Sequence, residues 1–195
     1  MQVKESSVAY QKKKKIYTYQ DYLELPDDRN RYEILEGELI MSPAPSTIHQ
    51  DVSGNIVLEL KAFVRKNDLG KIYYAPYDVV LSKHTIVQPD LLFVTNENKK
   101  IITEKNIQGA PDLIIEILSP ATAYHDLVEK KKIYQQFGVK EYWIVDPKML
   151  WIEVYVLEEG KYQLFQRSEK SGTVQSKIIA GFEIPLSKIF EQEEK

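Results

Sequence analysis

The stretch APDLIIEILSPAT, residues 110–122, places one carboxylate inside an otherwise apolar segment. A continuous aliphatic run on both sides of Glu116 is typical of a central strand that is buried on both faces. Ser119-Pro120 ends the run. An unpaired carboxylate inside such a strand costs roughly several kcal/mol. Glu116 therefore needs either an ion-pair partner or a chemical role.

The segments around this strand predict a mixed α/β fold. Two strand-like runs precede it, joined by three residues in a way that indicates an antiparallel hairpin. A helical pattern lies before them, and a helix ended by Gly138 follows. In chain order the elements are a helix at 46–66, strands at 71–82 and 86–94, a short helix or loop at 97–110, the opening strand, a helix at 123–137 and a strand at 141–147. This order of helix, three strands, helix and strand indicates a sheet covered by helices.

Further hairpins are predicted on both sides of this core. Glu36-Gly37 and Glu159-Gly160 are turn signals within alternating runs, and they predict an N-terminal hairpin and a C-terminal hairpin. Short helices are expected at 18–26 and 184–192. The length of 195 residues fits one domain. We expect a flexible N-terminal tail at 1–18 and a single domain at 19–192.

Composition restricts the class of protein. With 43% hydrophobic and 28% charged residues, the chain is typical of a globular domain, and no apolar run approaches the ~20 residues of a membrane span. The absence of cysteine excludes disulfides, a thiol nucleophile and cysteine-based zinc sites. A cytoplasmic location without membrane association is expected. The net charge of −3 is not that of a strong non-specific nucleic-acid binder, although a local basic groove is compatible with it.

Four more polar residues lie where apolar residues are expected. Helical phase places Lys130 and Asp126 on the apolar face of the 123–137 helix, where a surface ion pair is one explanation. His49 lies on the apolar face of the earlier helix, which a hydrogen-bonded packing residue would also explain. Asp90 interrupts a strand after Pro89, as a residue at a strand edge would.

Together, two carboxylates on neighbouring strands and one inward lysine suggest a chemical site. Asp90 and Glu116 provide the hard oxygen ligands that suit Mg²⁺, which takes one or two carboxylates and keeps waters for phosphates. A nearby ammonium such as that of Lys130 can orient water or stabilise charge on phosphoryl oxygens. A metal ion would then be the partner that Glu116 needs.

Several spaced motifs carry a family resemblance. The runs VQPDLLFV, GAPDLIIEILSPAT and DLVEKKKIYQQFGVKEYWIVDP, preceded by YEILEGELIMSPAPSTIHQ, resemble the Uma2 family of restriction-endonuclease-like proteins in the PD-(D/E)XK nuclease superfamily. The similarity extends over residues 19–190. It implies a restriction-endonuclease-like core of the same helix and strand order that we read from the sequence.

The resemblance also assigns roles to residues. It implies that Asp90 and Glu116 are metal ligands, to which the Ile117 carbonyl could add a third oxygen. The lysine of the superfamily motif is replaced by Leu118, and in this family a helical lysine four positions before a tyrosine matches Lys130. The remaining polar positions that match, as further metal contacts, supporting residues or packing, are Asp78, His49, Asp126, Glu38 and Tyr134.

The leading hypothesis is a deoxyribonuclease that uses Mg²⁺, with Mn²⁺ as a substitute, to hydrolyse DNA phosphodiester bonds. A catalytically inactive nucleic-acid-binding or assembly module with the same fold is the alternative, because the motif lysine is absent. Hydrolysis of a smaller phosphate ester is a third possibility. The C-terminal hairpin offers apolar and aromatic surface, which predicts a homodimer.

Overall fold

The computed structural model describes residues 15–28, 30–120 and 123–190. Most of the predicted N-terminal tail lies outside these residues. The part that is described precedes the first helix, and the Tyr17 N–H donates to the Gly37 carbonyl at 2.9 Å. Within the described ranges, no helix is long and apolar enough to cross a membrane.

The fold is mixed α/β, as the sequence predicts. The helices are α1 Tyr19–Leu23, α2 Thr47–Lys66, α3 Lys131–Phe137 and α4 Leu186–Ile189, with a 3₁₀ turn at Lys99–Ile101 and a π-helical turn at His125–Lys130. The strands are β1 Arg31–Leu35, β2 Glu38–Ser42, β3 Gly70–Tyr74, β4 Val79–Ser82, β5 Thr85–Val87, β6 Leu91–Thr95, β7 Ile107–Gln108, β8 Leu113–Ile117, β9 Glu141–Asp146, β10 Trp151–Glu158, β11 Lys161–Glu169, β12 Thr173–Gln175 and β13 Glu183–Pro185.

The large sheet has six strands in the order β11-β10-β9-β8-β6-β3. Its β8–β9 pair is parallel, and its other pairs are antiparallel. The crossover between β8 and β9 contains α3, as a parallel connection requires. The opening segment is therefore a central strand with neighbours on both sides, and all five of its residues are buried.

The small sheet corrects one prediction. Each of the two runs predicted as single strands, 71–82 and 86–94, is broken in the middle. In each run the two halves belong to different sheets. The strands β3 and β6 join the large sheet, and β4 and β5 join a five-stranded sheet of order β2-β1-β5-β4-β7. Pro76 and Pro89 lie at the breaks. Proline has no backbone N–H, so it removes fewest hydrogen bonds from a sheet where a strand begins or ends. The predicted hairpin survives as β4–β5.

In the described residues the core has three clusters. The two larger ones form layers on the two faces of the large sheet, and a small third one, around Ile34 and Ile86, lies on the small sheet. On one face α2 packs with the β12–β13 hairpin and α4, and this layer includes Ile56, Ile115 and Ile184. On the other face α3 and the small sheet pack together, and this layer includes Ile114 and Tyr134. The alternation of side chains along β8 sends residues 114 and 116 to the second face.

The helix predicted at 123–137 contains an irregularity. Its first part has the wider π-helical turn, and only Lys131–Phe137 is α-helical. Regular α-helical spacing would place Leu127 on the face of this helix that packs on the sheet, yet Leu127 is 39% exposed, because the wider π turn changes the angle between successive side chains. Gly138 ends α3 in the left-handed conformation, at φ 81°.

Candidate active site

Asp90 and Glu116 meet because two neighbouring strands carry them to the same place. The β6–β8 register pairs Leu91 with Ile115 and Leu92 with Ile114. Continued by one step, this antiparallel register places Asp90 opposite Glu116. Directly opposite residues project from the same face of a sheet. Both carboxylates are buried, with exposed fractions of 5% and 2%.

The Asp90 carboxylate is held from three sides. Its Oδ1 accepts a hydrogen bond from Arg31 at 3.2 Å. Its Oδ2 accepts from the Ile117 backbone N–H at 2.9 Å and lies 3.1 Å from His49 Nε2. Burial opposes ionisation, but His49, Arg31 and the Ile117 N–H outweigh it and hold the pKa of Asp90 below its usual value. Asp90 is therefore an anion near neutral pH.

The Lys130 side chain reaches back from the helix to Glu116. Its Nζ lies 3.1 Å from Glu116 Oε1, 2.9 Å from Glu33 Oε2 and 3.2 Å from Asp126 Oδ1. An ammonium has three hydrogens, and three carboxylates surround this one. Burial alone would lower the pKa of Lys130, but the three carboxylates raise it well above its ordinary value. The group is therefore a permanent cation.

The helix that follows β8 brings these groups together. The π turn carries Asp126 and Lys130, both buried, one above the other. One turn further, Tyr134 donates its hydroxyl hydrogen to Glu116 Oε1 at 2.6 Å. The Tyr142 hydroxyl of β9 donates to the Asp126 carbonyl at 2.9 Å. This bond fixes the irregular turn against the sheet. π turns of this kind occur frequently at functional sites.

The cluster carries an excess of negative charge. Among the residues that the structure describes, the four carboxylates of Glu33, Asp90, Glu116 and Asp126 face two permanent cations, Arg31 and Lys130. Burial and the other carboxylates raise the pKa of Glu116 to about 8, against the opposing effect of Lys130. Near pH 7 this carboxyl therefore tends to hold a proton. A cation that bound here would compete with that proton.

The cluster lines a cavity of about 220 Å³, which we call the acidic cavity. Its walls come from β1, the segment after β2, the start of α2, the ends of β6 and β8 and the π turn. The lining side chains that carry charge or can titrate are Arg31, Glu33, His49, Asp90, Glu116, Asp126 and Lys130. A cavity of this size holds a few water molecules or one phosphate group with its ions.

The donor set partly fits a magnesium ion. Among residues 15–28, 30–120 and 123–190, no group of three or more His, Cys, Asp or Glu side chains is arranged as a metal site. Mg²⁺, however, commonly takes only one or two carboxylates and completes its shell with water and phosphate. Asp90 Oδ2 and Glu116 Oε1 each already have two partners in the contacts described above. Asp90 Oδ1 accepts one hydrogen bond in those contacts and Glu116 Oε2 accepts none, so these two oxygens can still bind an ion. The residues therefore fit an ion held by two carboxylates.

Two of the predicted positions lie outside the acidic cavity. Asp78 accepts hydrogen bonds from Tyr22 and Gln88, at 2.7 and 2.8 Å, at the start of β4. Glu38 is exposed on β2 and lines a different surface pocket with Lys132. The structure brings together Asp90, Glu116, Lys130, Asp126, His49 and Tyr134, with the Ile117 backbone beside them.

Sequence reasoning missed Arg31 and Glu33. Both lie on β1, two positions apart, and so project from the same face of the strand. Glu33 is 4% exposed, contacts Lys130 and accepts from the Gln88 N–H at 2.7 Å. In RYEIL these two residues alternate with Tyr32 and Ile34, a pattern that predicts an ordinary hairpin strand and gives no sign of a site. The buried partner of such a strand cannot be read from its own sequence.

Comparisons with known proteins identify the family and the fold of the chain. A family model for Uma2, described as "Putative restriction endonuclease", matches residues 19–187. The chain is similar in fold to a crystal structure described as a putative nuclease belonging to DUF820 from Anabaena variabilis ATCC 29413. The TM-score is 0.73 at 21% sequence identity, and the alignment covers 89% of this chain and 97% of that one. No curated protein matches.

Proposed function

The chain belongs to the Uma2 family, and we propose that it is a metal-dependent deoxyribonuclease that hydrolyses phosphodiester bonds of DNA in the cytoplasm. The observation that carries the proposal is the convergence of Asp90, Glu116 and Lys130 on one cavity. In the proposed site, Asp90 and Glu116 hold Mg²⁺ or Mn²⁺, together with the Ile117 carbonyl. When bound, the ion polarises the phosphodiester and lowers the pKa of a coordinated water.

The protein side chains supply positioning and charge. His49 and Arg31 hold Asp90 as an anion, and the Arg31 guanidinium also has the planar donor geometry that suits phosphate oxygens. Tyr134 fixes Oε1 of Glu116. These contacts keep the two carboxylates in place before substrate arrives, which reduces the cost of assembling the transition state.

Lys130 acts as a hydrogen-bond donor and not as a general base. A base must lose its proton, and the three carboxylates around Nζ oppose that loss. The ammonium can orient the attacking water or stabilise charge that develops on the phosphoryl oxygens. Because all three Nζ hydrogens have carboxylate partners, one of these ion pairs must open as the water or phosphate is engaged.

Cleavage assays test this proposal directly. Supercoiled, linear and single-stranded DNA are incubated with the protein in Mg²⁺, in Mn²⁺ and in EDTA. We expect metal-dependent cutting that Asp90→Asn and Glu116→Gln each reduce by at least about a hundredfold. Asp112→Asn is the matched control, because Asp112 also follows a proline yet lies at the opposite end of β8, paired with Lys140. Intact DNA under conditions where a known nuclease cuts would refute the proposal.

One observation favours the alternative of a binding module without catalysis. The buried charges already have partners within the chain, and the three ion pairs of Lys130 leave it no free hydrogen. Such a module would bind DNA with a strong dependence on salt and none on divalent metal. A titration of labelled DNA with and without Mg²⁺, repeated at two salt concentrations, separates the two functions.

We also propose a homodimer, with β11 as the contact. This strand forms an edge of the large sheet, and Leu164 and Phe165 on it are 51% and 42% exposed. Its ends carry opposite charges, at Lys161 and Glu169, so an antiparallel second copy would pair them. Light scattering after gel filtration should give twice the monomer mass, and Phe165→Lys should return the mass to that of a monomer.

A further inference from the structure

Two further surface cavities follow the seam between α2 and β3, the edge strand of the large sheet. The first, which we call the flanking cavity, has a volume of about 330 Å³, shares Asp90 with the acidic cavity and includes Ser53 and Pro76 in its wall. The second, which we call the basic groove, has a volume of about 570 Å³ and is lined from residues 61–68 and 70–72. The seam therefore leads from the acidic cavity to the far end of α2.

One ridge of α2 connects the acidic cavity with the basic groove. Five residues of the helix are spaced by four positions, and residues with this spacing form a continuous row on a helix surface. They are His49, Ser53, Val57, Lys61 and Arg65. At 1.5 Å per residue the row is about 24 Å long, which is the length of about seven nucleotides at 3.4 Å for each nucleotide of a strand. A strand with one phosphate in the acidic cavity is thus long enough to reach the basic groove.

The cations of the basic groove have no ion-pair partner. In the part of the chain that the structure describes, the wall of this groove holds three cations and one carboxylate, that of Asp68. The cations are Lys61, Arg65 and Lys71, and all three are exposed. No carboxylate of a described residue lies within 4.0 Å of their nitrogen atoms. The groove is a local basic surface on a chain of net charge −3, and it suits a phosphate backbone.

An aromatic ring lies between the flanking cavity and the basic groove. Tyr74 is the last residue of β3, directly before the Ala75-Pro76 segment of the flanking cavity, and it is 49% exposed. The Lys61 ammonium lies over this ring, 4.4 Å from its centre. An ion pair with a phosphate would draw the ammonium away and uncover a ring face on which an unpaired base can stack. Cations with an aromatic ring among them are typical of grooves that bind single-stranded nucleic acid.

We propose that the α2–β3 seam binds a single strand of DNA that continues from the scissile phosphate. Lys61, Arg65 and Lys71 contact its phosphates, and Tyr74 stacks on one of its bases. The inference rests on the proposed nuclease function and adds to it the path and the single-stranded form of the substrate beside the cut. These contacts read no sequence, because every nucleotide has a phosphate and every base has a π face.

Binding without cleavage tests the seam. A fluorescently labelled oligothymidylate of about twelve nucleotides, a length typical of single-strand sites, is titrated in EDTA at several salt concentrations, and binding is followed by anisotropy. Lys61→Gln/Arg65→Gln should weaken binding at least about tenfold at low salt. It should also reduce the slope of log affinity against log salt by about 1.4, because each phosphate contact on a single strand contributes about 0.7. Tyr74→Leu should weaken binding at least about fivefold without changing the slope, because stacking is not ionic.

The matched control removes two cations elsewhere. Lys83 in the β4–β5 turn and Lys177 after β12 are exposed and line neither the acidic cavity, the flanking cavity nor the basic groove. Lys83→Gln/Lys177→Gln changes the net charge by the same amount as the seam variant, but it should leave the affinity and the salt slope unchanged. All the substituted residues are exposed, so we expect every variant to fold. Unlabelled polyglutamate serves as an acidic competitor without bases and should displace the strand poorly.

Several results would overturn the inference. They are equal losses in the seam variant and the control, an unchanged affinity in Tyr74→Leu, equal or tighter binding of a duplex of the same length, efficient displacement by polyglutamate, and no binding at all. Failure of the proposed function is distinguishable from these results. Seam-dependent binding by a protein that cuts no DNA would exclude the nuclease function alone. Cutting of single-stranded DNA with the same KM in the wild type and the seam variant would exclude the seam alone.

Discussion

At the scale of single residues, Lys130 is the group on which the charge balance of the site depends. It is one of three consecutive lysines, but the next two differ from it completely. Lys131 lies over the ring of Tyr155, and the side chain of Lys132 is 71% exposed near Glu36. Burial, and not the local sequence, distinguishes the three.

We predict that Lys130→Met is strongly destabilising. It leaves three buried carboxylates without their common cation, and breaking a buried ion pair by removing one partner costs about 3–5 kcal/mol. Urea denaturation measures the change in the free energy of unfolding. Lys132→Met is the matched control and should change it by less than about 0.5 kcal/mol. Similar values for the two variants would contradict the ion-pair description of the site.

Asp112 shows that the same local sequence serves another purpose elsewhere. It follows Pro111 as Asp90 follows Pro89, yet it accepts hydrogen bonds from the Thr95 N–H at 2.9 Å and from Asn98 at 3.2 Å. Lys140 lies 2.7 Å away. Burial alone would raise the pKa of Asp112, but Lys140 and the two hydrogen-bond donors outweigh it and lower the pKa below 3.8.

This lowered pKa predicts an acid-dependent stability. A carboxyl whose pKa is lower in the folded than in the unfolded chain stabilises the fold above the unfolded value of 3.8, and that stabilisation is lost as pH falls through the folded value. Asp112→Asn should therefore lower the free energy of unfolding by about 1–3 kcal/mol at pH 7. The difference from wild type should shrink below pH 4. A difference independent of pH would exclude the ionised form as the cause.

At the scale of elements, the start of α2 connects capping with the site. Ser46 is the N-cap, and its side chain accepts from the His49 N–H at 3.4 Å. We predict that Ser46→Ala costs about 1 kcal/mol and also weakens cleavage, because the first turn positions the His49 ring on Asp90. Ser46→Asn, which keeps a capping oxygen and adds no charge to the cavity that Ser46 lines, should keep both close to their wild-type values. Thermal unfolding and the cleavage rate are measured on the same samples.

The existence of most elements was predictable. The α2 helix, the two predicted terminal hairpins and the buried strand β8 follow from periodicity and turn residues, and their bounds agree with the structure. The strands β7 and β12 were not predicted, and the first two residues of the helix expected at 184–192 belong to β13.

Element continuity was not predictable. The breaks in the runs at 71–82 and 86–94 depend on which sheet each half joins, a choice that only tertiary packing decides. The π turn was not predicted for a similar reason, because it is held by a hydrogen bond from the Tyr142 hydroxyl of β9, which is outside the helix.

The candidate site shows the same division. Asp90, Glu116 and Lys130 were identified because each breaks a hydrophobic pattern, which is visible in one segment at a time. Arg31 and Glu33 break no pattern. They join the site because β1 belongs to the small sheet and packs across the large one, so their partners are more than fifty residues away in sequence.

At the scale of the whole molecule, a bound ion should stabilise the fold. We predict that saturating Mg²⁺ or Mn²⁺ raises the unfolding temperature by about 5–10 °C, from ~2.7 kcal/mol at one hundred times the dissociation constant. The Glu116→Gln variant should show almost no rise. This measurement needs no turnover, so it reports metal binding even if the DNA substrate is unsuitable. An equal rise in both proteins would exclude Glu116 as a ligand.

The assembly of the site from both sheets and the π turn has a consequence for synthesis. The first acidic group, Glu33, leaves the ribosome about a hundred residues before Lys130, and β8 gains its second neighbour only when β9 has been made. A nascent or prematurely terminated chain that ends before Lys130 therefore lacks both the buried ammonium group and the β8–β9 pairing. In the proposed nuclease, cutting activity would then begin only once the chain has been translated through β9.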